Sequence, residues 1–335
     1  MRRSAILFVL AAMLASCGGR ATSSRLSRIR HRGVLVCGVL PGIAGFAQVG
    51  RDGRYRGFDI DICRAVAAAA AGSADRIQYE PAGTLDVVKR STDIDLVSRR
   101  LTWSLRREGM GVLFGPTTFY DGQGFLLAAN ADVDDVAGLA GVPICVAENS
   151  EHDVSLMAWF SRHKLPLNRV GVSDGAAAAR ALVEGRCGAF SADVSELASV
   201  RSTMARPRSF RILRDRITSE PLSQLVRADD VDLFNVLRWA VFAMITAEEL
   251  GISSANVDEM ARSENPDAGR LLGTIAGNGA ALGLDEAWAR RVIAEVGNYG
   301  EVFERNLGMS TPIGLERGPN ALWSSGGLLF APPLK

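Results

Sequence analysis

Four cysteines, Cys37, Cys63, Cys145 and Cys187, are the residues with the most evident chemistry. In a chain exported to an oxidising compartment, their thiols can form two disulfides. Four cysteines permit three pairings, and their spacing alone does not choose among them. Cys37 and Cys63 lie in one candidate α/β lobe, and Cys145 and Cys187 lie in a second. This placement favours the pairs Cys37–Cys63 and Cys145–Cys187. Buried free thiols are the alternative. No Cys-x-x-Cys motif or histidine pair accompanies them, so the sequence predicts no metal site.

The N-terminal segment has the parts of a secretory signal. Two arginines precede an eleven-residue apolar run, Ala5 to Ala15, which is too short to span a bilayer as a helix. We therefore expect residues 1–16 to be removed on export. Leu14-Ala15-Ser16-Cys17 resembles the lipobox of bacterial lipoproteins, in which Cys17 would be acylated and become the mature N-terminus. An ordinary signal peptide with an incidental cysteine is the alternative. Residues 17–30 are then expected to form a lipidated, flexible tether.

The composition limits the classes of protein to which the rest of the chain can belong. Roughly 305 residues remain after the tether, enough for two globular lobes or one large domain. The net charge is +1, so no overall field favours nucleic acid or an acidic membrane. No second run of about eighteen apolar residues follows, which argues against a channel or permease. The sequence predicts a soluble body that is held at a membrane only through its N-terminal lipid.

Short β-branched runs alternate with longer helical patterns, which is typical of α/β units. One helix is predicted from Gly57 through an alanine run to Gly72. Another begins at Ser150, where Ser150-Glu151-His152-Asp153 fits a capping box. Strands are predicted at 33–39, 94–97, 124–128, 142–146 and within 185–193, and later helices at 232–250, 258–262, 285–296 and 299–306. This order indicates a second α/β lobe that begins at 142–146, followed by a mainly helical C-terminal part.

Several motifs in sequence order resemble those of the family 3 extracellular solute-binding proteins, the receptors of polar amino-acid ABC importers. The first is GFDIDICRAVA over residues 57–67. The others resemble the general L-amino-acid-binding subgroup of that family: Thr102-Trp103-Ser104-Leu105-Arg106-Arg107, Tyr120-Asp121-Gly122-Gln123-Gly124-Phe125, Ala247-Glu248-Glu249-Leu250-Gly251-Ile252, Gly297-Asn298-Tyr299-Gly300-Glu301 and Leu315-Glu316-Arg317-Gly318. The resemblance runs from residue 33 almost to the C-terminus.

The resemblance implies an α/β type 2 periplasmic-binding-protein fold, in which two α/β lobes are joined by two crossing hinge strands. Lobe one is then discontinuous, residues 31–129 and 221–335, and lobe two is residues 130–220. The crossings fall near 124–129 and 221–227, which are short and extended, as a hinge needs to be if a few dihedrals absorb closure. The implied function is an exported periplasmic or cell-surface receptor, which captures an L-amino acid and delivers it to the permease subunits of an ABC transporter.

A zwitterionic ligand needs a cation for its α-carboxylate and an anion for its α-ammonium group. Arg107 matches the family's carboxylate arginine, whose planar fork can hold both oxygens. Thr102 and Ser104 match the positions that complete this clamp, and Asp193 matches the lobe-two aspartate that receives the ammonium group. Without the family, Arg107 is a surface ion-pair residue and Asp193 is a helix cap.

Three positions of the implied site depart from the family pattern. Ser150 is followed by Glu151 where the family has threonine, so a carboxylate competes with the ligand at the positive end of a helix. Stabilising the first helical turn is the other role that Glu151 can have. Arg100 stands where the subgroup tends to carry asparagine, and it either faces the cleft or extends along the lobe surface. Ile43 stands where many relatives stack an aromatic ring on the ligand.

Two other function classes stay open. Some relatives of this fold are periplasmic dehydratases, and Glu148, Glu151 and His152 could supply acid and base groups at a helix start. The chain has only three histidines and no nucleophile motif, phosphate loop or zinc constellation. Binding without catalysis and without a cofactor is therefore the primary prediction. A ligand-silent or sensory lipoprotein on the same fold is the second alternative, because the clamp differs from the family's.

Overall fold

The computed structural model describes residues 24–84 and 91–335, so Cys17 and the predicted signal peptide lie outside the described residues. The strands are β1 (Leu35–Val39), β2 (Gln48–Val49), β3 (Tyr55–Arg56), β4 (Ile77–Pro81), β5 (Leu96–Thr102), β6 (Val112–Asp121), β7 (Gln123–Ala128), β8 (Pro143–Ala147), β9 (Asn168–Val172), β10 (Ala189–Asp193), β11 (Phe210–Ile212) and β12 (Glu220–Arg227). The helices are α1 (Arg25–Arg32), α2 (Phe58–Ala70), α3 (Leu105–Glu108), α4 (Glu151–Arg162), α5 (Gly175–Val183), α6 (Val194–Thr203), α7 (Val231–Glu249), α8 (Val257–Met260), α9 (Pro266–Leu272), α10 (Asn278–Ala281), α11 (Trp288–Val296) and α12 (Tyr299–Asn306).

Two five-stranded sheets organise the described chain. The first has the order β4-β1-β5-β12-β6, in which β1 pairs in parallel with β4 and β5, and β12 runs antiparallel between β5 and β6. The second has the order β11-β7-β10-β8-β9, in which β8 pairs in parallel with β9 and β10, and β7 is antiparallel to β10 and β11. The predicted mixed α/β fold with two sheets is confirmed. After β12 the described chain is mainly helical.

The chain crosses from the first sheet to the second at Gly122 and returns through residues 213–219. The two crossings lie side by side, because the Gln123 amide donates to Thr218 Oγ1 at 2.9 Å and the Ile217 amide donates to the Gln123 carbonyl oxygen at 2.8 Å. A Cβ atom at Gly122 would stand 2.4 Å from the Thr218 carbonyl oxygen, so only glycine permits this close approach.

Both segments predicted as crossing strands are strands, and each adjoins a change of sheet. Residues 123–128 form β7 and residues 220–227 form β12, and each strand begins directly after a crossing. The physical reason is burial: five consecutive residues of each strand are buried, so these segments pair within a sheet. The extended hinge segments are therefore shorter than the sequence predicts.

Helix α1 lies partly within the segment predicted as a flexible tether. Ser24 caps the helix, and Leu26 and Ile29 are buried. The buried guanidinium of Arg25 lies 3.4 Å from Asp95 Oδ1 and 3.6 Å from Asp230 Oδ2. An apolar pair at i, i+3 together with paired buried charge holds this short helix on the core. The tether predicted over residues 17–30 therefore does not extend through residues 25–30.

Two disulfides each join a strand to a neighbouring element. Cys37 of β1 pairs with Cys63 of α2, with Cα atoms 6.2 Å apart, and Cys145 of β8 pairs with Cys187, which precedes β10, with Cα atoms 5.7 Å apart. The predicted pairing is confirmed. Small residues along α2 let that helix pack closely against α7 and α11 as well as the first sheet. Within the described residues, no helix has the length and apolar character needed to cross a membrane.

Candidate functional site

Three arginines gather where β5 ends and α3 begins. Arg99 and Arg100 belong to β5, and Arg107 lies on α3, where its Nη1 donates to the Thr102 carbonyl oxygen at 2.8 Å. Burial lowers the pKa of Arg99, and the charges of Arg107 and Arg100 lower it further. Neighbouring cations have this effect because they disfavour the protonated form. These three side chains form an electropositive corner suited to an anion.

This electropositive corner contains buried donors without partners. The Nε atoms of Arg99 and Arg100 are buried and have no hydrogen-bond acceptor among the described residues. The nearby carboxyl of Asp59 is buried and accepts from Ser98 Oγ at 3.1 Å. Burial raises the pKa of Asp59 to about 6, although the charge of Arg100 opposes this shift. Because buried polar groups are ordinarily satisfied, the corner has unused capacity to donate to an anionic group.

Arg100 spans the space between the two sheets. Its Nη1 donates to Ser195 Oγ on α6 at 2.7 Å, and its guanidinium carbon lies 5.3 Å from the centre of the Phe46 ring. That separation is within the range of a cation–π contact. The backbone of Arg100 is left-handed, with φ +53°, a conformation that residues other than glycine, asparagine and aspartate rarely adopt. The side chain thus reaches toward α6 rather than along the outer surface.

Asp193 ends β10 beside the first turn of α4. Its Oδ1 atom lies 3.1 Å from Nε2 of His152, and both side chains are about one-quarter exposed, at 26% and 25%. Burial opposes protonation of His152, but the hydrogen bond and charge of Asp193, together with Glu196 and Glu220, raise the pKa of the imidazole above its usual 6.5. Asp193, the carboxylate that the resemblance assigns to the ligand's ammonium group, therefore favours the protonated form of this imidazole.

Asp121 and Gln123 contact α6 and His152 next to these residues, and the sequence analysis did not single them out as site residues. Asp121 Oδ1 accepts from the Gly122 amide at 2.9 Å and from the Ser195 amide at 3.2 Å, while its buried Oδ2 has no partner in the part of the chain that the structure describes. Burial, followed by the charge of Asp193, raises the pKa of Asp121 to about 6. Gln123 Nε2 donates to the His152 carbonyl oxygen and to Ser191 Oγ, each at 2.9 Å. Their signal was the quoted motif around Gly122, where polar residues flank a crossing.

The hydroxyl of Ser150 is used within its own helix start. It accepts from the Asp153 amide at 3.1 Å and donates to the Ala147 carbonyl oxygen at 2.7 Å. The predicted capping box is incomplete, because the Asp153 carboxylate accepts from the Asn149 amide at 3.1 Å instead of from the Ser150 amide. Arg169 also holds this carboxylate, which explains the different partner. Glu151 is exposed at the first position of α4, next to His152.

The remaining predicted residues lie on the first-sheet side. Ser104 is half-buried at the start of α3 and makes no side-chain cap. Ile43 is half-buried, bridges to Ala47 and packs on the main core. The aromatic ring that contacts Arg100 is that of Phe46, which the sequence analysis did not single out. Arg107 therefore contacts Thr102, and Arg100 contacts Ser195 of α6. Ile43 packs against the main core. Residues 24–84 and 91–335 contain no group of His, Cys, Asp or Glu placed to hold a metal ion.

Comparisons with known proteins cover almost the whole chain. No protein-family model matches it. The chain is 39% identical to the general L-amino acid-binding periplasmic protein AapJ of Rhizobium johnstonii, over 97% of each chain. It is 38% identical to the glutamate/glutamine/aspartate/asparagine-binding protein BztA of Rhodobacter capsulatus, over 100% of each.

A solved structure agrees with these relatives. The periplasmic binding protein of an ABC transporter from Brucella ovis, with glutathione bound, is 37% identical, with a TM-score of 0.84 over 93% of this chain and 100% of that one. The identities of 37% to 39% over nearly full length show common descent rather than a shared fold alone. The chain therefore belongs to the family 3 solute-binding proteins, among the amino-acid-binding periplasmic proteins of ABC transporters.

Proposed function

We propose that the protein is an extracytoplasmic receptor that binds an L-amino acid or a small amino-acid derivative between its two sheets and delivers it to an ABC permease. The observation that carries this proposal is the arrangement of charge: the arginine corner lies on the first-sheet side, Asp193 lies on the second, and Arg100 reaches between them. A zwitterion has the complementary pair of charges. The relatives are named for binding amino acids, which supports the same ligand class.

In this proposal Arg107 holds the α-carboxylate and Asp193 holds the α-ammonium group. The bond from Arg107 to the Thr102 carbonyl oxygen orients the guanidinium, which leaves its remaining donors for the ligand. Thr102 and Ser104 supply further polar groups beside it. Ser150, Glu151 and Ile43 are assigned to the pocket wall. The ligand's ammonium group displaces the His152 imidazole from Asp193 when it binds.

Arg100 gives the site capacity for a second anionic group. With Arg99, it adds positive charge beyond what one α-carboxylate neutralises, and both Nε atoms lack acceptors within residues 24–84 and 91–335. The bound molecule in the Brucella relative, glutathione, carries two carboxylates and one ammonium group. A ligand of that charge pattern, such as glutamate or a γ-glutamyl peptide, satisfies the corner better than a neutral amino acid does.

Catalysis is not part of this proposal. If the protein only binds its ligand, the ligand is recovered unchanged after incubation, whereas a dehydratase would release a product. A ligand-silent lipoprotein would show neither binding nor turnover. We further propose that the lobes divide as the resemblance implies, 31–129 with 221–335 against 130–220, with boundaries adjusted to Gly122 and residues 213–219, where the chain changes sheets.

Binding can be tested by calorimetry on protein that has been unfolded and refolded to remove carried ligand. The screen covers the twenty amino acids, glutathione and prephenate, and the recovered ligand is analysed for turnover. Arg107→Ala and Asp193→Ala should each weaken binding about a hundredfold, because removing one ion of a desolvated pair leaves its partner unpaired. Arg106→Ala, on the same helix but exposed, is the matched control. If both site variants bind the ligand with the affinity of the wild-type protein, the proposed clamp is wrong.

The N-terminal lipid is also a proposal, since the relatives support only an exported location. Cys17→Ser should prevent acylation and release the protein from membranes. Membrane fractionation, with labelled palmitate as the tracer, measures both effects. An acylated Cys17→Ser protein that still sediments with membranes contradicts the lipobox interpretation without affecting the receptor proposal.

A further inference from the structure

A groove lined by arginines begins at Val194, beside Asp193 of the proposed ligand site, and extends away from that site. It has a volume of about 730 Å³ and separates residues 211–216 from the C-terminal segment 309–319. It continues, through Arg201, Met309 and Gly314, into a second cavity of about 690 Å³ along residues 206–210. Arg201 is six residues beyond Ser195 on α6, about 9 Å along the helix axis. We refer to these two joined cavities as the arginine groove.

The charge of the arginine groove is one-sided. Residues 201–216 contain six arginines and one acidic residue, in a chain whose net charge is only +1. All six line the groove: Arg201, Arg206, Arg208, Arg211, Arg214 and Arg216. Glu316 is the acidic residue in the lining. None of the six arginines forms an ion pair with a carboxylate in the described part of the chain, where ion pairs hold many of the other arginines.

The inner arginines bond to backbone carbonyls, which carry no net charge. Arg201 Nη2 donates to the Ile313 and Gly314 carbonyl oxygens at 2.6 and 3.2 Å, and Arg216 Nη1 donates to the Tyr120 carbonyl oxygen at 3.0 Å. Burial lowers the pKa of both arginines, and the charge of Asp121 opposes this shift at Arg216. Within the described residues no carboxylate pairs with Arg201, so its half-buried guanidinium has lost hydration and gained only dipoles in exchange. An anion in the groove would restore the missing charge interaction.

We propose that the arginine groove binds a small polyvalent oxyanion, a molecule with two or more phosphate or carboxylate groups. Guanidinium forks hold such oxygens in bidentate pairs, and either cavity has the volume of a small-molecule site. The concave shape between two chain segments favours a compact anion over a flat membrane surface. Arg201 already connects α6 to residues 313–314 by hydrogen bonds. A bound anion would add contacts between α6 and the C-terminal segment.

Tripolyphosphate and citrate are the probes, each compared with sodium chloride at equal ionic strength. We expect tripolyphosphate to raise the Tm of the protein saturably, since ligand that binds the native state stabilises it. Arg214→Glu should weaken the response about tenfold or more, the effect of replacing one charge-assisted contact with repulsion. Arg214 is exposed, and its side chain makes no hydrogen bond within the described residues, so the fold should tolerate the change. Arg51→Glu, an exposed site on a distant loop, alters net charge equally and should leave the response intact.

Two further arms make the proposal falsifiable. The Arg107→Ala variant must retain the rise in Tm with tripolyphosphate. If that variant loses the rise, the anion binds in the proposed ligand site and not in the arginine groove. A Tm that follows ionic strength alone, or equal effects of Arg214→Glu and Arg51→Glu, would overturn the proposal. So would Arg214-dependent sedimentation with phosphatidylglycerol vesicles in the absence of a saturable tripolyphosphate effect, since that result assigns the groove to a lipid surface. A response to citrate as well as tripolyphosphate identifies general oxyanion binding, and a response to tripolyphosphate alone identifies phosphate.

Discussion

Nε2 of His152 lies 3.1 Å from Oδ1 of Asp193, so an imidazole of the protein contacts the carboxylate that we propose receives a ligand's ammonium group. Gln123 holds the His152 backbone in place, and Glu196 and Glu220 add negative charge around the ring. The pair sits between β10 and α4, next to the helix start that departs from the family pattern. In the receptor that we propose, the pair couples ligand binding to the protonation of a histidine whose pKa is raised above its usual value.

Ligand affinity should rise with pH through the titration of His152. Below its raised pKa the ring is an imidazolium that competes with the ammonium group for Asp193, and above that pKa the charge attraction is lost. Calorimetry from about pH 5.5 to 8.5 measures the slope. His152→Gln keeps a hydrogen-bonding side chain but does not titrate, so it should flatten the profile. An unchanged slope in that variant would assign the pH dependence to another group, such as Asp121.

The ligand-free protein should show the opposite dependence of stability on pH. Because the folded pKa of His152 is raised, its contribution is fully present below the unfolded pKa and is lost as pH rises through the folded pKa. The buried carboxyls of Asp59 and Asp121 also have raised pKa values and the same sign. The difference in urea unfolding free energy between the unchanged protein and His152→Gln isolates the histidine. This difference should shrink as pH rises, and one that grows would contradict the assignment.

Arg100→Asn should separate ligands by charge. Asparagine tolerates the left-handed backbone at this position, so the fold should be kept. We expect binding of glutamate to weaken about tenfold or more while binding of glutamine changes little, because only glutamate loses a charge-assisted partner. Calorimetry with the two ligands measures the ratio. Equal loss for both would show that Arg100 acts through its contact with Ser195 and not through a second carboxylate.

Removing the second-sheet disulfide should destabilise the protein. The Cys145–Cys187 bridge spans 42 residues of sequence and Cys37–Cys63 spans 26, so each contributes about 3 to 4 kcal/mol in the chain-entropy model. Cys145→Ala with Cys187→Ala should lower the urea unfolding free energy by that order. Non-reducing peptide mapping is the check on the starting state, and four free thiols there would remove the basis of this expectation.

The fold was largely predictable from the sequence because its signals are local or are carried by motifs. Alternating apolar runs indicated the α/β layers, and the cysteine positions indicated the pairing. The exact points at which the chain changes sheets were not predictable, because the close approach of Gly122 to Thr218 joins residues far apart in sequence. The tether was extended too far because the helix at Arg25 depends on contacts with Asp95 and Asp230.

Parts of the site follow from tertiary contacts and were not predictable. The buried state of Asp121, the pairing of His152 with Asp193 and the place of Arg100 above Phe46 arise only when both sheets are assembled. The sequence motifs located Arg107 and Asp193 through the resemblance. Periodicity and spacing alone would have left Arg107 as a surface ion-pair residue and Asp193 as a helix cap.

Glu151→Thr should strengthen binding of ordinary L-amino acids and slightly weaken α4. Glu151 is exposed at the first position of that helix, and the Ser150 hydroxyl beside it is already used in the cap. Removing the carboxylate frees the positive helix end for the ligand's carboxylate and supplies a hydroxyl. The same change removes a favourable helix-dipole interaction, which is worth about 0.3 to 1 kcal/mol.

Asp232→Thr is the matched control, because Asp232 is an exposed acid in the first turn of α7, outside the proposed site. Calorimetry and urea unfolding of both variants separate the two roles of Glu151. Equal losses of stability with tighter binding only in Glu151→Thr would show that the carboxylate competes with the ligand. Weaker binding in Glu151→Thr would instead show that the ligand places a cation near the start of α4, because only a positive group gains from Glu151 at that position.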